Sequence, residues 1–414
     1  MPVTALNEDF YRFIEDNANA DTTKLRLKAR KNPLSFNAGF AITQIECRAK
    51  AKRKLPEITA DKRFLFPSLL STEQCTSEPV AKLHAKVIGK VDSLLDITAG
   101  LGIDDYYIAS QATTVVAVER DSLTAEVAQH NFARLRGNIT VVNCPCERFI
   151  AQCLNAAEAS PKACPEPAKS ALRRFGAVFA DPARRAADGR RVFGLGQCEP
   201  AIIPLLPQIA QIAPLLYIKA SPMLDITQSL RELDGVTDVW VISLRNECLE
   251  LLFKINFSSA SQPAVHCLNI NSDGSTQELT CTMQENTPIP FAAAIKTYLY
   301  EPNASIMKAG AFHALASRYP VEKIAPSSHL FTAESLIEGF PGRAFRVVKT
   351  LPYNARAVKR ELRGVAKINV AVRNFRLDAE ELKQRLGLKD GGDCYLFGTT
   401  LATGEMVVAL CDRV

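Results

Sequence analysis

Strands alternating with helices through the middle of the chain predict an α/β protein with a doubly wound, mostly parallel core. A glycine-containing turn ends the first of those strands. A change of rhythm towards the C-terminus adds a small α+β domain, and the first 78 residues read as a helical region. The 414 residues suffice for two or three domains of ordinary size. Hydrophobic residues are 47% and charged residues 23%, which excludes a wholly disordered or collagen-like chain.

Apolar runs such as 209–218 are broken by Gln211 and Pro214 and fall short of the roughly 18 residues a membrane helix needs. No membrane partner is therefore expected. The N-terminus carries Glu8 and Asp9 and lacks a basic segment followed by an apolar one, so no secretory signal is expected. None of the 12 cysteines forms a C-x-x-C pair, and the scattered pattern fits a reducing, cytoplasmic setting.

In chain order, residues 1–78 form the helical, basic region. Phe10, Phe13 and Ile14 recur at helical spacing within 6–16. From Lys24 to Arg63 there are 12 Lys or Arg against three acids. Arg48, Lys50, Lys52, Arg53 and Lys54 crowd the end of one predicted helix. They are either a solvated helix terminus, where cations suit the dipole, or a phosphate-binding surface.

Residues 79–262 hold the core. Strands are expected at 93–97, 114–118, 139–143, 177–180, 215–219, 239–244 and 250–257. Residues 155–170, with Pro161, Pro165 and Pro167, read as a surface insertion.

Residues 263–330 form a small accessory region, and 331–414 the α+β domain. The latter has strands at 345–349, 367–372, 394–397 and 406–410, with helices at 355–363 and 378–386. Between Arg343 and Arg373 there are nine basic residues and one acid, Glu361. Arg356, Lys359, Arg360 and Arg363 are spaced to share one helix face, which would track an RNA backbone or simply be solvated. Tyr353 and Phe375 flank that face and could stack bases or belong to the core.

The sharpest motif is Asp96-Ile97-Thr98-Ala99-Gly100-Leu101-Gly102-Ile103-Asp104, running from a strand through a turn into a helix. Glycine lets the backbone approach a ligand, and the helix start offers unpaired N–H groups. The next strand ends in Glu119, where a carboxylate can accept from both hydroxyls of a ribose. The third glycine of a dinucleotide fingerprint is replaced by Asp105, and a carboxylate at Asp96 suits an amino-bearing ligand better than a pyrophosphate.

After the fourth strand comes Asp181-Pro182-Ala183-Arg184-Arg185, then Arg190 and Arg191. An acid and a proline carbonyl there can accept hydrogen bonds from an exocyclic amine. After the fifth strand, Lys219-Ala220-Ser221-Pro222 contains no Cys, which disfavours covalent pyrimidine chemistry. Lys219 either contacts substrate or is a strand-end lysine reaching solvent.

The glycine loop resembles the first motif of class I S-adenosylmethionine-dependent methyltransferases. Asp181-Pro182 is similar to the (Asp/Asn)-Pro-Pro-aromatic motif of exocyclic-amine methyltransferases, but Ala183 and Arg184 depart from it and the aromatic platform is absent. With Ser68 to Cys75, Lys219 to Asp225 and Tyr300-Glu301-Pro302-Asn303-Ala304, these motifs resemble a bacterial group of candidate RNA methyltransferases with a C-terminal THUMP-like domain. That likeness covers most of the chain. A further likeness to cap-guanine exocyclic-amine methyltransferases covers only about residues 70–190.

The resemblance implies a Rossmann-like methyltransferase core with S-adenosyl-L-methionine as cofactor, held by Asp96, Thr98, Ala99, Gly100, Gly102, Asp104, Glu119 and Arg120. It also implies catalysis around Asp181, Pro182, Arg184 and Arg185, and RNA (tRNA or rRNA) contacts from Lys219, Arg356, Lys359, Arg360 and Arg363. The acid often found near the adenine is missing: the stretch reads Asn143-Cys144-Pro145-Cys146-Glu147, where Glu147 suits a helix start.

Cys144, Cys146, Cys153 and Cys164 lack structural-zinc spacing, and none of the five histidines sits in a ligand pattern, so no metal is expected. The expected function is methyl transfer to a base nitrogen of RNA. The alternatives are an RNA-binding protein whose core no longer catalyses, and a small-molecule or protein methyltransferase, against which the basic faces argue.

Overall fold

A computed structural model of the chain describes residues 6–31, 34–158, 175–183, 194–259, 261–365 and 367–414. Arg184, Arg185, Arg190, Arg191, Cys164 and the prolines of the insertion lie outside them. The chain divides into two compact units, residues 1–237 with 252–261, and residues 238–251 with 262–414.

The first unit opens with helices α1 (Glu8–Asp16), α2 (Thr22–Lys31), α3 (Ala38–Ala51), α4 (Pro56–Ala60), α5 (Leu69–Gln74) and α6 (Glu78–Ile88). Asparagines start two of them: Asn7 caps α1 and Asn37 caps α3, each side chain accepting a backbone N–H. Phe10 is fully buried and packs against Phe36 and Phe40.

The core alternates β1 (Val91–Asp96), α7 (Ile103–Ile108), β2 (Ala112–Glu119), α8 (Ser122–Leu135), β3 (Ile139–Asn143), α9 (Cys146–Glu158), β4 (Ala177–Ala180), α10 (Ile202–Ile212), β5 (Leu215–Ala220) and α11 (Ile226–Glu232). Its strands run parallel in the order β3-β2-β1-β4-β5. The order reverses between β1 and β4. The loops leaving these two strands therefore diverge, which opens a crevice at their carboxyl ends.

In the second unit, β6 (Val236–Leu244, its first two residues in the first unit) pairs in parallel with β8 (Ala264–Ile270), and β8 antiparallel with β9 (Thr276–Thr282). In chain order β7 (Glu247–Asn256) follows β6, and its residues from Leu252 onwards belong to the first unit. A seven-stranded sheet follows, built from β10 (Tyr298–Pro302), β11 (Glu322–Ala325), β12 (Ser328–Ala333), β13 (Gly342–Pro352), β14 (Asn369–Arg373), β15 (Cys394–Thr400) and β16 (Met406–Arg413) in the order β11-β12-β10-β13-β16-β15-β14. Helices α12 (Ala304–Ala309) and α13 (Phe312–Arg318) follow β10, α14 (Ala355–Glu361) follows β13 and α15 (Ala379–Leu386) follows β14. Val358, Leu362, Leu382 and Leu386 of the α14 and α15 region pack on Ile368, Leu396 and Val408.

The expected β-α-β-α-β-β order is present from β13 to β16. Its limits differ. The strand expected at 345–349 extends over 342–352 because β16 supplies partners from Phe345 to Pro352 and β10 from Gly342 to Arg346. The strand expected from Lys367 begins at Asn369, and Lys367 makes an isolated bridge to Lys389.

Candidate active site at the carboxyl ends of β1, β4 and β5

The crevice is formed by the turn after β1, the start of the loop after β4, and the end of β5. Gly102 is the N-cap of α7 in the left-handed region, at φ 75°. A Cβ there would also collide with the Phe132 ring, so the turn admits only glycine. Gly100 is left-handed as well, at φ 55°, and its N–H donates to Glu119 Oε2 at 2.9 Å. Glu119 Oε1 accepts from Asp121 N–H at 2.7 Å, so each oxygen retains a lone pair. Asn143 donates to the carbonyls of Glu119 and Arg120 at 2.8 and 3.1 Å. Arg120 pairs with Glu199. Pro145 is exposed, and Glu147 lies in the first turn of α9.

Thr98 joins the turn to the loop after β4. Its N–H and Oγ1 donate to Asp96 Oδ1 at 2.7 and 3.2 Å, and its Oγ1 accepts from Asp181 N–H at 2.6 Å. Lys219 is 6% exposed, which settles one sequence alternative: it does not reach into solvent. Its Nζ donates to Asp181 Oδ2 at 2.6 Å and Thr76 Oγ1 at 2.8 Å, and lies 3.9 Å from Asp104 Oδ2. Asp104 also accepts from Thr76 at 2.5 Å, and its Oδ1 is 2.7 Å from Nδ1 of the fully buried His84.

Burial alone would raise the Asp104 carboxyl, but the Lys219 and His84 contacts outweigh it and hold the group at about 2. Its side chain, expected from the resemblance among the cofactor contacts, is occupied by His84, Thr76 and Lys219.

Asp96 and Asp105 behave differently. Burial pushes both up, and neighbouring carboxylates add to the shift: Asp104 and Asp181 at Asp96, Asp96 and Asp104 at Asp105. Asp105 is fully buried and neither oxygen has a donor within reach among the described residues. Its neighbour is Asp96, and two carboxyls can bond only by sharing a proton. The β1 acid expected as a cofactor contact is thus buried beside a second acid. Sequence reading missed Thr76, His84 and the role of Asp105. Their contacts span up to 143 residues, and no local pattern marks them.

Beside Asp181 lies a small cavity lined by Pro182, Leu195, Cys198, Lys219, Ser221 and Leu224 among others. No aromatic ring lines it among the described residues.

The basic surfaces are reduced on folding. Arg48 donates to the carbonyls of Thr59, Asp61, Lys62 and Phe64. Lys50 pairs with Glu73, and Lys54 donates to the Glu73 carbonyl. Arg343 and Arg373 share the buried Glu301, Arg346 pairs with Asp412, and Lys349 with Glu361. Arg356, Lys359, Arg360 and Arg363 stay exposed on and just beyond α14, without ion pairs among the described residues. Tyr353 and Phe375 pack edge to face, 5.0 Å between centroids, against the core under α14. Both rings are half-buried and rest on that core, which is the arrangement the core alternative expects.

Residues 298–341 match a family of ferredoxin-like domains, and 342–413 a family of THUMP-like domains. No curated protein matches. Among solved structures, a candidate methyltransferase from Porphyromonas gingivalis W83 is 28% identical, covers 99% of both chains and superposes at a TM-score of 0.85. A predicted O-methyltransferase from Agrobacterium tumefaciens (15% identity, 45% of this chain and 84% of the other, TM-score 0.30) carries no further argument. The same holds for a candidate RNA methyltransferase from Pyrococcus horikoshii (15%, 43% and 83%, TM-score 0.28). The chain thus has the S-adenosylmethionine-dependent methyltransferase fold with a C-terminal THUMP-like domain.

Proposed function

We propose that this chain methylates a base nitrogen of tRNA or rRNA by direct transfer from S-adenosylmethionine. The observation that carries the reading is the tie between the glycine turn and Asp181 through Thr98, at the point where the strand order reverses. The residues fit the cofactor. Gly100 and Gly102 keep the turn free of side chains, and Glu119 retains two acceptor positions for a ribose. When bound, S-adenosylmethionine supplies an electrophilic methyl group on a sulfonium.

Asp181 accepts a hydrogen bond from the target amine, and the Pro182 carbonyl a second, which aims the nitrogen lone pair at the methyl carbon. With the cofactor held by the glycine turn and Glu119, Asp181 would take the proton that the methylated amine releases and pass it to water. Arg356, Lys359, Arg360 and Arg363 hold the RNA backbone. The THUMP-like match over 342–413 supports this placement of the RNA surface.

That no aromatic ring lines the cavity among the described residues favours a second reading, an RNA-binding protein without turnover. The deciding experiment is transfer of labelled methyl groups to total RNA from a strain lacking this gene. Label that vanishes in Asp181→Ala supports the enzyme. Cofactor binding without label on that RNA supports the second reading.

A further inference from the structure

Lys219 is the most heavily engaged buried cation around the crevice, and the proposed chemistry gives it no direct part. Its Nζ holds Asp181 Oδ2 at 2.6 Å and Thr76 Oγ1 at 2.8 Å, with Asp104 Oδ2 at 3.9 Å. Thr76 and Asp104 are themselves bonded at 2.5 Å, and His84 fixes the other oxygen of Asp104. The ammonium is thus seated from behind by groups on α7, on α6 and just before it. The Asp181 side chain is different: it is 41% exposed, and its backbone N–H is held by Thr98.

A lone carboxylate on a loop has several rotamers of similar energy. A charge-assisted bond to a seated lysine selects one of them.

We propose that Lys219 is a positioning residue, fixing the Asp181 rotamer so that Oδ2 is occupied and Oδ1 alone is presented to the target amine. The proposal deepens the methyl-transfer reading and rests on it for the identity of the amine. It also gives a part to a lysine that is buried at the end of β5 and lines the cavity beside Asp181.

The test uses the full chain. Crystal structures of the wild type and of Lys219→Met, which keeps the length and removes the charge, report the Asp181 rotamer directly. The expected result is a changed or split rotamer with the β5 backbone in place. An unchanged rotamer overturns the proposal whatever the rates are.

With total RNA from the deletion strain as probe, Lys219→Met is expected to lower the rate at saturating cofactor by about tenfold or more. Affinity for S-adenosylhomocysteine should stay within about threefold. The Asp181→Ala and Asp181→Ala/Lys219→Met proteins should then be equally slow, because Lys219 acts through Asp181. Additive losses overturn the proposal. Thr76→Val, which loosens the seat and keeps the charge, should act in the same direction but less, and serves if Lys219→Met does not fold. Absence of label from the wild type would overturn the methyl-transfer reading alone, since the rotamer comparison still decides the role of Lys219.

Discussion

Asp96 and Asp105 are buried neighbours, and among the described residues no donor reaches either oxygen of Asp105, so a bond between the two acids requires a shared proton. Their folded affinities for that proton lie above the ordinary carboxyl value of 3.8, and Asp96 is pushed to about 8. A raised acid binds a proton in the folded chain that the unfolded chain has released. The stabilisation is therefore complete below about pH 4 and lost as pH rises towards 8. Asp105→Asn removes one titrating partner and supplies an amide donor. Between pH 5 and pH 8 its unfolding midpoint should fall less than that of the wild type, by about 3 °C or more. Parallel curves for the two proteins would show that the pair does not share a proton. At Gly102, a Cβ would strain the backbone at φ 75° and collide with Phe132. Gly102→Ala should weaken S-adenosylhomocysteine binding by at least about tenfold, measured calorimetrically. At this scale the sequence showed Asp96, Gly100, Gly102, Glu119 and Asp181 as residue types in a pattern. It could not show that Asp105, read as a missing glycine, would be paired with Asp96, because that follows from which way the first turn of α7 faces.

Helix α14 combines an inner face, where Val358 is fully buried, with an outer face of exposed cations. Reversing two of those charges, in Arg360→Glu/Arg363→Glu, should weaken RNA binding by about tenfold or more in a filter-binding titration while leaving the unfolding midpoint nearly unchanged. A large fall in the midpoint would mean that the face is structural. In α3 the opposite holds. Arg48 bonds four backbone carbonyls, and Arg48→Met should destabilise the chain by roughly 3 kcal/mol in a urea titration, because those acceptors lose their donor. Both helices look alike in sequence, each ending in a basic cluster. Their different fates depend on which carbonyls fold back within reach, which no local spacing encodes. The strands were more legible. β3 and β4 match the expected ranges at both ends, β4 as a run buried throughout and β3 as an edge strand buried only at Ile139. β13 was harder to delimit, because its second half is exposed or half-buried and its extent is set by backbone pairing to β16. α10 contains Pro207, which blurs a helical pattern that its buried Ile202, Leu205, Ile209 and Ile212 otherwise make clear.

Across the whole chain a net charge of +6 says little about which surface meets a polyanion. The distribution of paired and unpaired cations says more. The N-terminal cluster is largely consumed, by backbone carbonyls around Arg48 and by acids around Lys50, Lys62, Arg63 and Arg26. Lys52 and Arg53 remain exposed. Beyond β13, Arg356, Lys359, Arg360, Arg363 and Lys367 are exposed and without ion pairs among the described residues. A cation already paired in the free protein releases no net counterion when it moves to a phosphate unless its acid is freed. The salt dependence of RNA binding therefore counts the unpaired ones. Five phosphate contacts on single-stranded RNA give a slope of log affinity against log salt of about −3.5. Replacing Arg356, Lys359, Arg360 and Arg363 by glutamine should flatten that slope by about 3, whereas Lys52→Gln/Arg53→Gln should flatten it by no more than about 1.4. If the N-terminal pair flattened it more, the phosphate-binding surface would have to be moved from α14 to the end of α3, and the ion pairs around Lys50 and Lys62 would have to open on binding.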